Sequence, residues 1–258
     1  MGKLGGVEHR LVSEADRTKL QQVVAKLLGP QLAQVGWDAK PDEPDDSRLR
    51  RAAVIRALGA IARDPGVLGE ARARLDRFLA GDTAAIENNL QDAVVGMVAR
   101  GGDAARFEAL LKKFHDERDP AFKRRYLMSL TAFEDPALAK RALGLLMGEV
   151  VPLQDLASFA SGLLANRTAR AEAFSLITSR WDEIAKKAGG APMLMRRIVE
   201  AMGNLVERSH VEAAEKFLAA HTSDVIKQAV LQTQERMKQD LELRERALPA
   251  VSAWLKAP

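Results

Sequence analysis

Histidines are the strongest potential metal ligands in this sequence, because it contains no cysteine. The four are His9, His115, His210 and His221. No two stand at the i, i+4 spacing that places paired imidazoles on one helical face. Residues 115–117 read His-Asp-Glu, like the start of a zinc motif, but the second histidine is missing. His210 and His221 could meet only if the fold turned back. We therefore expect no metal site and no cofactor in this chain.

Nucleophilic catalysis lacks its usual sequence signals as well. The chain has no Gly-x-Ser-x-Gly elbow and no phosphate-cradling glycine loop. Gly101, Gly102 and Asp103 read as a helix stop followed by a cap. The carboxylate pair Asp45 and Asp46 reads as the acidic first turn of a helix. The sequence thus predicts no complete catalytic centre, and we expect the isolated chain not to be an enzyme.

Basic clusters raise the question of nucleic-acid binding. They are Arg48, Arg50, Arg51 and Arg56, residues 123–125, and residues 196–197. However, the 39 basic residues are interleaved with 35 acidic ones, and aromatic residues make up only 5% of the chain. A nucleic-acid groove needs a basic stripe, and often stacking rings. We expect no nucleic-acid partner.

The bulk composition is that of a folded protein outside the membrane. Hydrophobic residues make up 47% and charged residues 29%, far from the composition of disordered chains. No apolar run approaches the roughly 18–20 residues needed to span a bilayer. The absence of cysteine fits both reducing and oxidising compartments.

Apolar residues recur at helical spacing along most of the chain, and no segment alternates like a strand. One example is the i, i+3, i+4, i+7 series of Phe107, Leu110, Leu111 and Phe114. The pattern predicts about thirteen α-helices joined by short loops.

Capping signals mark where these helices begin and end. Asp-Pro pairs at residues 64–65, 119–120 and 135–136 fit an aspartate cap followed by proline in the first turn. Ser209 with Glu212 fits a capping box, and Pro152 opens another helix. Gly189 and Gly190 fit a helix stop.

Helical units of roughly 30–40 residues without a strong sequence repeat are typical of a HEAT- or armadillo-like α-solenoid. We therefore predict an all-α superhelix of antiparallel helix pairs, with a compact irregular bundle as the alternative. Residues 1–12 are expected to be a flexible or added lead, and residues 13–258 a single helical-repeat domain.

Several sequence blocks resemble the C-terminal helical domain of M1-family zinc aminopeptidases of the puromycin-sensitive and endoplasmic-reticulum type. Residues 35–37 and 43–50, Val-Gly-Trp and EPDDSRLR, are similar to the family's "LGW … EPDDTRLLR". Residues 99–103 (ARGGD) are similar to "ArNGD", and residues 119–130 to "DPeeKlrlLraL". Leu243, Phe107 and Phe174 stand where tryptophan is common in the family.

The resemblance continues in the same order toward the end of the chain. Residues 135–138 are similar to "DPeLl" and residues 149–155 (EVVPLQD) to "geVrsQD". Residues 164–181 resemble "laaNp.gr..aW.fl..nW", and residues 244–255 resemble "WrerdlpalaaWL". The resemblance therefore covers nearly all of the chain.

The resemblance implies a division of labour. In such enzymes the zinc site, with its His-Glu-x-x-His helix, and the Gly-x-Met-Glu-Asn loop belong to an upstream domain, and neither motif is present here. The C-terminal domain curves over the catalytic domain, encloses the peptide cavity and gates substrate entry. The implied partners are the upstream catalytic domain and peptide substrates.

Candidate residues for the cavity wall are Arg48, Gln154, Asp155, Asn166, Arg196 and Arg244. Each has a structural alternative: Gln154 and Asp155 could cap a helix, Asn166 could end one, and Arg244 could pair with Glu242 or Glu245. Trp37, Trp181 and Trp254 are expected in the core. The alternative function is a free-standing HEAT-like scaffold for a protein partner.

Overall fold

The computed structural model describes residues 3–188 and 191–257, and these ranges contain fourteen α-helices and no strand. The all-α fold class is therefore confirmed. The solenoid arrangement stays a prediction. The chain forms two compact units, one of residues 1–98 with 244–258 and one of residues 99–243.

The first unit, called unit 1 here, contains the N-terminal helices and the end of the last one. Its helices are α1 (Lys3–Leu11), α2 (Arg17–Val35), α3 (Asp45–Ala57), α4 (Pro65–Leu79) and most of α5 (Gln91–Arg100). A π-helical turn, Leu58–Ala62, continues α3.

The second unit, unit 2, is built from the following helices. They are α6 (Ala104–Asp116), α7 (Pro120–Ser129), α8 (Pro136–Met147), α9 (Leu156–Ala165), α10 (Arg170–Ser179), α11 (Trp181–Lys187), α12 (Pro192–Ala201), α13 (Arg208–Ala220) and α14 (Lys227–Lys256), whose last turns belong to unit 1. The helices α7, α9, α12 and α14 begin 35 or 36 residues apart. This spacing matches the predicted repeat length.

Several helix starts follow the capping chemistry in the sequence. Asp64 accepts a hydrogen bond from the Val67 amide at 2.9 Å, and Asp135 accepts one from Leu138 at 3.0 Å. Asp119 accepts two, and proline follows all three aspartates. The aspartate takes up an amide that has no partner within the helix. The Asp-Pro predictions are confirmed.

The capping box predicted at Ser209 is wrong. Helix α13 already begins at Arg208, and its N-cap residue Glu207 makes no side-chain cap hydrogen bond. Ser209 lies inside the first turn. Gly189 and Gly190 lie outside the described residues. Residues 3–11, expected as part of a flexible lead, form helix α1.

The tryptophans are distributed unequally between core and surface. Trp181 is buried in unit 2, and Trp37 of unit 1 is half-buried under the Arg74 guanidinium, 5.1 Å from its ring centroid. Trp254 is 61% exposed, so the core prediction for it is wrong. Trp254 lies on the exposed side of α14, whereas its neighbour Leu255 is buried.

In unit 1, two arginines from α3 and α4 bind carboxylates of the loop of residues 36–44. Arg51, fully buried on α3, donates to both carboxylate oxygens of Glu43 at 2.5 and 2.6 Å and to the Val35 carbonyl at 3.2 Å. Arg74 on α4 donates to both oxygens of Asp38, at 2.6 and 2.9 Å. Glu43 of the EPDD block thus anchors this loop to α3.

These contacts shift the acidity of both carboxyl groups. The hydrogen bond from Arg51 holds the pKa of Glu43 below its ordinary value, and the bond from Arg74 does the same to the pKa of Asp38. A cation that donates to the ionised form stabilises that form. Both ion pairs in unit 1 therefore depend on carboxylates that are ionised.

Candidate functional site

Helix α9 is the centre of unit 2. It packs against α7, α8, α10 and α12, and six of its ten residues are buried. Its sequence, LASFASGLLA, is apolar except for two serines. A helix surrounded by neighbours on several sides reads as apolar nearly all round.

Polar groups nevertheless form a line along one side of this helix. Asp155, just before α9, and Ser158 and Ser161 within it stand three residues apart, and residues three apart on a helix are neighbours on its surface. We call these three residues the α9 row.

Each member of the α9 row has a partner on a different element. Arg124 of α7 donates from Nε to Asp155 Oδ1 at 2.8 Å, and Arg197 of α12 donates to Ser158 Oγ at 3.1 Å. Asn204, in the 3₁₀ turn after α12, donates to Ser161 Oγ at 3.3 Å. The row therefore ties α7 and α12 to α9 through polar contacts.

The row is also reachable from solvent. The side chain of Arg124 is 50% exposed and Arg197 is exposed, whereas Asp155 is buried. Ser158 and Ser161 are half-buried. An exposed guanidinium keeps N–H donors that its protein partner does not use, and these match a carboxylate or a carbonyl.

Asp155 does not cap α9 with its side chain. It occupies the N-cap position, but its side chain makes no cap hydrogen bond, and Arg124 takes the carboxylate instead. Gln154 beside it is exposed. Sequence reasoning named Asp155 but missed Arg124 as its partner, because the two are separated by 31 residues.

Asn166 fastens the C-terminal end of α9. Its Nδ2 donates to the carbonyls of Thr131 and Phe133 at 2.9 and 2.7 Å, and its Oδ1 accepts from the Thr168 amide at 2.9 Å. All three contacts are to backbone. Asp155 and Asn166 stand at opposite ends of a ten-residue helix, about 15 Å apart by the helical rise. The structure therefore does not bring these two candidates together.

The other candidates are divided between the units. Arg196 is half-buried on α12 in unit 2. In unit 1, Arg48 is exposed in the first turns of α3, and Arg244 donates to the backbone carbonyl of Arg10. Arg244 thus has a contact that differs from the expected pairing with Glu242 or Glu245.

Sequence reasoning missed the serines of the α9 row and Asn204. Arg124 and Arg197 were noticed only as members of basic clusters. A usable signal was present, since two serines three residues apart interrupt an otherwise apolar helix. Their partners could not be read from the sequence, because α7 and α12 lie 31 to 43 residues away from the groups they contact.

Metal ligands do not cluster in the described parts of the chain. Within residues 3–188 and 191–257, no group of three or more histidine, aspartate and glutamate side chains is placed to hold a metal ion. The ring of His221 stacks on Phe217, and the ring of His210 lies edge-on to Phe174. None of the helices in these ranges combines the length and hydrophobicity of a membrane span.

Comparison with known proteins gives a consistent set of matches. Residues 1–239 match the family described as the ERAP1-like C-terminal domain. Aminopeptidase 2 of Candida albicans is 24% identical over 260 residues, which cover 99% of this chain and 28% of that protein. The mitochondrial Aminopeptidase 2 of Saccharomyces cerevisiae is 24% identical over 92% of this chain and 25% of its own length.

A bacterial relative extends the comparison. Aminopeptidase N of Lactobacillus helveticus is 28% identical over 71% of this chain and 21% of its own length. The chain therefore spans about a quarter of the length of the curated relatives it matches.

Proposed function

The chain belongs to the family of ERAP1-like C-terminal domains, and on that premise we propose that it is the non-catalytic C-terminal domain of an M1 zinc aminopeptidase. In this proposal it closes over an upstream catalytic domain, forms the wall of the peptide cavity and gates substrate entry. Zinc would be held by the upstream domain. One observation carries the proposal: nearly the whole chain matches each aminopeptidase, but it covers only about a quarter of that protein's length.

The α9 row supports a role in contacting peptide. A peptide offers backbone carbonyls, amides and a terminal carboxylate, and these groups pair with guanidinium and hydroxyl groups. Arg124 presents an exposed guanidinium beside the carboxylate of Asp155, and Arg197 presents one beside the hydroxyl of Ser158. Gln154 and Arg196 are sequence neighbours of this set, and with Arg48, Asn166 and Arg244 they remain proposed cavity residues.

Rigid anchoring of these donors suits a cavity wall. Asp155 fixes the direction of Arg124, and Ser158 fixes that of Arg197. A side chain that is already ordered loses less conformational entropy when it binds a ligand. When the domain closes, the guanidinium groups of Arg124 and Arg197 would then reach the peptide already oriented.

Peptide binding by this chain tests the proposed wall. We expect a fluorescently labelled nonapeptide with a free carboxyl end to bind in an anisotropy titration. Arg197→Ala and Arg124→Ala should each weaken binding at least about tenfold, because a hydrogen bond to a charged group is worth about 1.5–3 kcal/mol. The matched control is Arg72→Ala, an exposed arginine of α4. Equal effects of all three variants would leave only a general charge effect and refute the role of the row.

Activity and gene context test the division of labour. The purified chain should hydrolyse no aminoacyl reporter substrate and retain no stoichiometric zinc. The natural reading frame upstream of Val7 should encode a His-Glu-x-x-His helix. Turnover that a chelator abolishes would overturn the proposal, and so would a natural gene that starts at Met1, which would favour a free-standing scaffold.

A further inference from the structure

A cavity of about 340 Å³ opens in unit 2 where α11, the start of α12 and the turn before α14 meet. It lies apart from the α9 row and shares no residue with it. The residues that line it are Trp181, Ala185, Ala191, Pro192, Met195, His221, Ser223, Val225 and Ile226. Ligand pockets in proteins begin at about this size, and an apolar cavity of about half the volume can hold benzene.

The walls of this cavity select for an uncharged aromatic ring. None of the lining residues is an aspartate, glutamate, lysine or arginine, so a charged ligand would lose its hydration without gaining a counter-ion. Met195 offers a polarisable sulfur that packs well against rings, and Trp181, which is 7% exposed, adds a small part of its ring to the wall. Val225 at the opening is 54% exposed, so the apolar surface continues outward.

His221 adds one directed polar contact. Its Nδ1 lies 2.8 Å from the carbonyl oxygen of Phe217. A carbonyl can only accept a hydrogen bond, so Nδ1 carries the proton in this contact. In the neutral form of the ring the lone pair is then on Nε2, so His221, an exposed side chain of the cavity wall, can accept a hydrogen bond there.

The ring of His221 is fixed before any ligand arrives. It stacks on Phe217 with centroids 4.1 Å apart, and Trp181 stands edge-on to both rings at 5.3 and 6.4 Å. The stack and the hydrogen bond hold the acceptor in one orientation. Such preorganisation favours a ligand whose donor sits at a matching distance from its ring.

We propose that this cavity, the Trp181–His221 pocket, binds an aromatic ring that carries a hydrogen-bond donor, a phenol or an indole, with its O–H or N–H donated to His221. The ring can belong to a free small molecule or to a tyrosine or tryptophan side chain of a protein segment. Both sources share the same contact chemistry. The proposal goes beyond the proposed function and does not depend on it.

The test follows binding to the full chain by methyl NMR of Met195 and by calorimetry. The probe is p-cresol, and 4-methylanisole is its match without the O–H. We expect p-cresol to shift the Met195 methyl signal saturably and to bind about three- to tenfold more tightly than 4-methylanisole, the ratio that one net hydrogen bond gives. Equal binding of the two probes, or none by p-cresol, would overturn the proposal.

Two variants locate the site. His221→Phe keeps a ring on Phe217 but removes the acceptor, so the preference for p-cresol should disappear. Ala185→Leu should narrow the cavity and weaken p-cresol binding at least about tenfold. Ala213→Leu, on the exposed side of α13, is the matched control and should change nothing. If His221→Phe retains the preference, the proposed contact is wrong, even if Ala185→Leu fails to fold.

A peptide arm separates the two sources of the ring. An acetylated and amidated Gly-Gly-Tyr-Gly-Gly should compete with p-cresol if a protein segment can reach the pocket, whereas its phenylalanine analogue should compete less. Competition by neither peptide, with p-cresol still bound, would assign the pocket to free small molecules. Peptide binding that Ala185→Leu does not reduce would count against the site.

Discussion

Arg51 in unit 1 and Arg170 in unit 2 are both buried guanidinium groups, yet the structure satisfies them in different ways. Arg51 lies between the carboxylates of Glu43 and Glu87, at 2.5 and 3.5 Å, with one carbonyl in addition. Arg170 donates to the carbonyls of Leu164 and Ala165 at the end of α9, at 3.0 and 3.3 Å. A helix C-terminus carries a partial negative charge, so it can receive a cation without a carboxylate.

The partners of the two arginines show two ways in which a buried guanidinium stabilises this helical fold. In unit 1 the buried arginine holds a long loop, residues 36–44, whose backbone has few regular partners, and the loop brings its own acids. In unit 2 the arginine closes a helix end by donating to its last backbone carbonyls. The first arrangement includes a carboxylate whose charge depends on pH, whereas the second uses backbone carbonyls at a helix end.

Removal of Arg51 should have the largest effect. Arg51→Met leaves Glu43 buried without its counter-ion, and breaking a buried pair in this way costs about 3–5 kcal/mol. Urea denaturation followed by tryptophan fluorescence measures the loss. Arg48→Met, an exposed arginine one turn earlier on α3, is the control and should stay within about 0.5 kcal/mol. A loss below about 1 kcal/mol for Arg51→Met would show that the carboxylates find other partners.

Removal of Arg170 should have a smaller effect. Arg170→Met leaves the last carbonyls of α9 without these donors, and an unsatisfied buried acceptor costs about 1–3 kcal/mol. Urea denaturation at pH 7 measures the loss. Arg118→Met, exposed before α7, serves as the matched control. A loss below about 0.5 kcal/mol would show that these carbonyls do not depend on the guanidinium.

Acid should weaken unit 1 through Glu43 and Asp38. Their folded pKa values are lowered, so the unfolded chain binds protons first, and stability falls as pH drops. The contribution is complete above the ordinary carboxyl pKa of about 4 and is lost as pH falls from there through the lowered folded values. Urea midpoints between pH 7 and pH 3 measure the slope, and Arg51→Met should make it shallower. If the urea midpoint of Arg51→Met depends on pH as strongly as that of the unmodified chain, Glu43 does not cause the loss of stability in acid.

The sequence predicted the helices far better than the contacts between them. Asp64, Asp119 and Asp135 act within one turn, so their role could be read from neighbouring residues. Asp155 also precedes a helix, but Arg124, from 31 residues away, takes its carboxylate, and only the tertiary structure supplies that partner. Asn166 was named as a candidate for peptide contact, and the structure shows it bound to three backbone groups. Local chemistry is visible in a sequence, whereas competition among distant partners is not.

The smallest effect concerns Arg236, which closes α12 in unit 2 from an exposed position. Its Nη2 donates to the Glu200 carbonyl at 2.6 Å and lies 1.7 Å from where a Cβ on Gly203 would stand. Gly203→Ala should therefore displace a flexible side-chain end and lose one hydrogen bond, about 0.5–1.5 kcal/mol. In an Arg236→Ala background the same change should cost almost nothing, which gives a coupling energy of about 1 kcal/mol in a double-mutant cycle.

The control for this cycle is Gly162→Ala on α9. Its Cβ would lie 2.3 Å from Thr131 Oγ1 and 2.8 Å from Thr131 Cβ, and the branched Thr131 is stiff at χ1. Its cost should therefore be the same with and without Arg236. If Gly203→Ala stays equally costly without Arg236, the strain comes from the 3₁₀ turn itself. The end of α12 would then be fixed by its own backbone, and the contrast with unit 1 would rest on Arg170 alone.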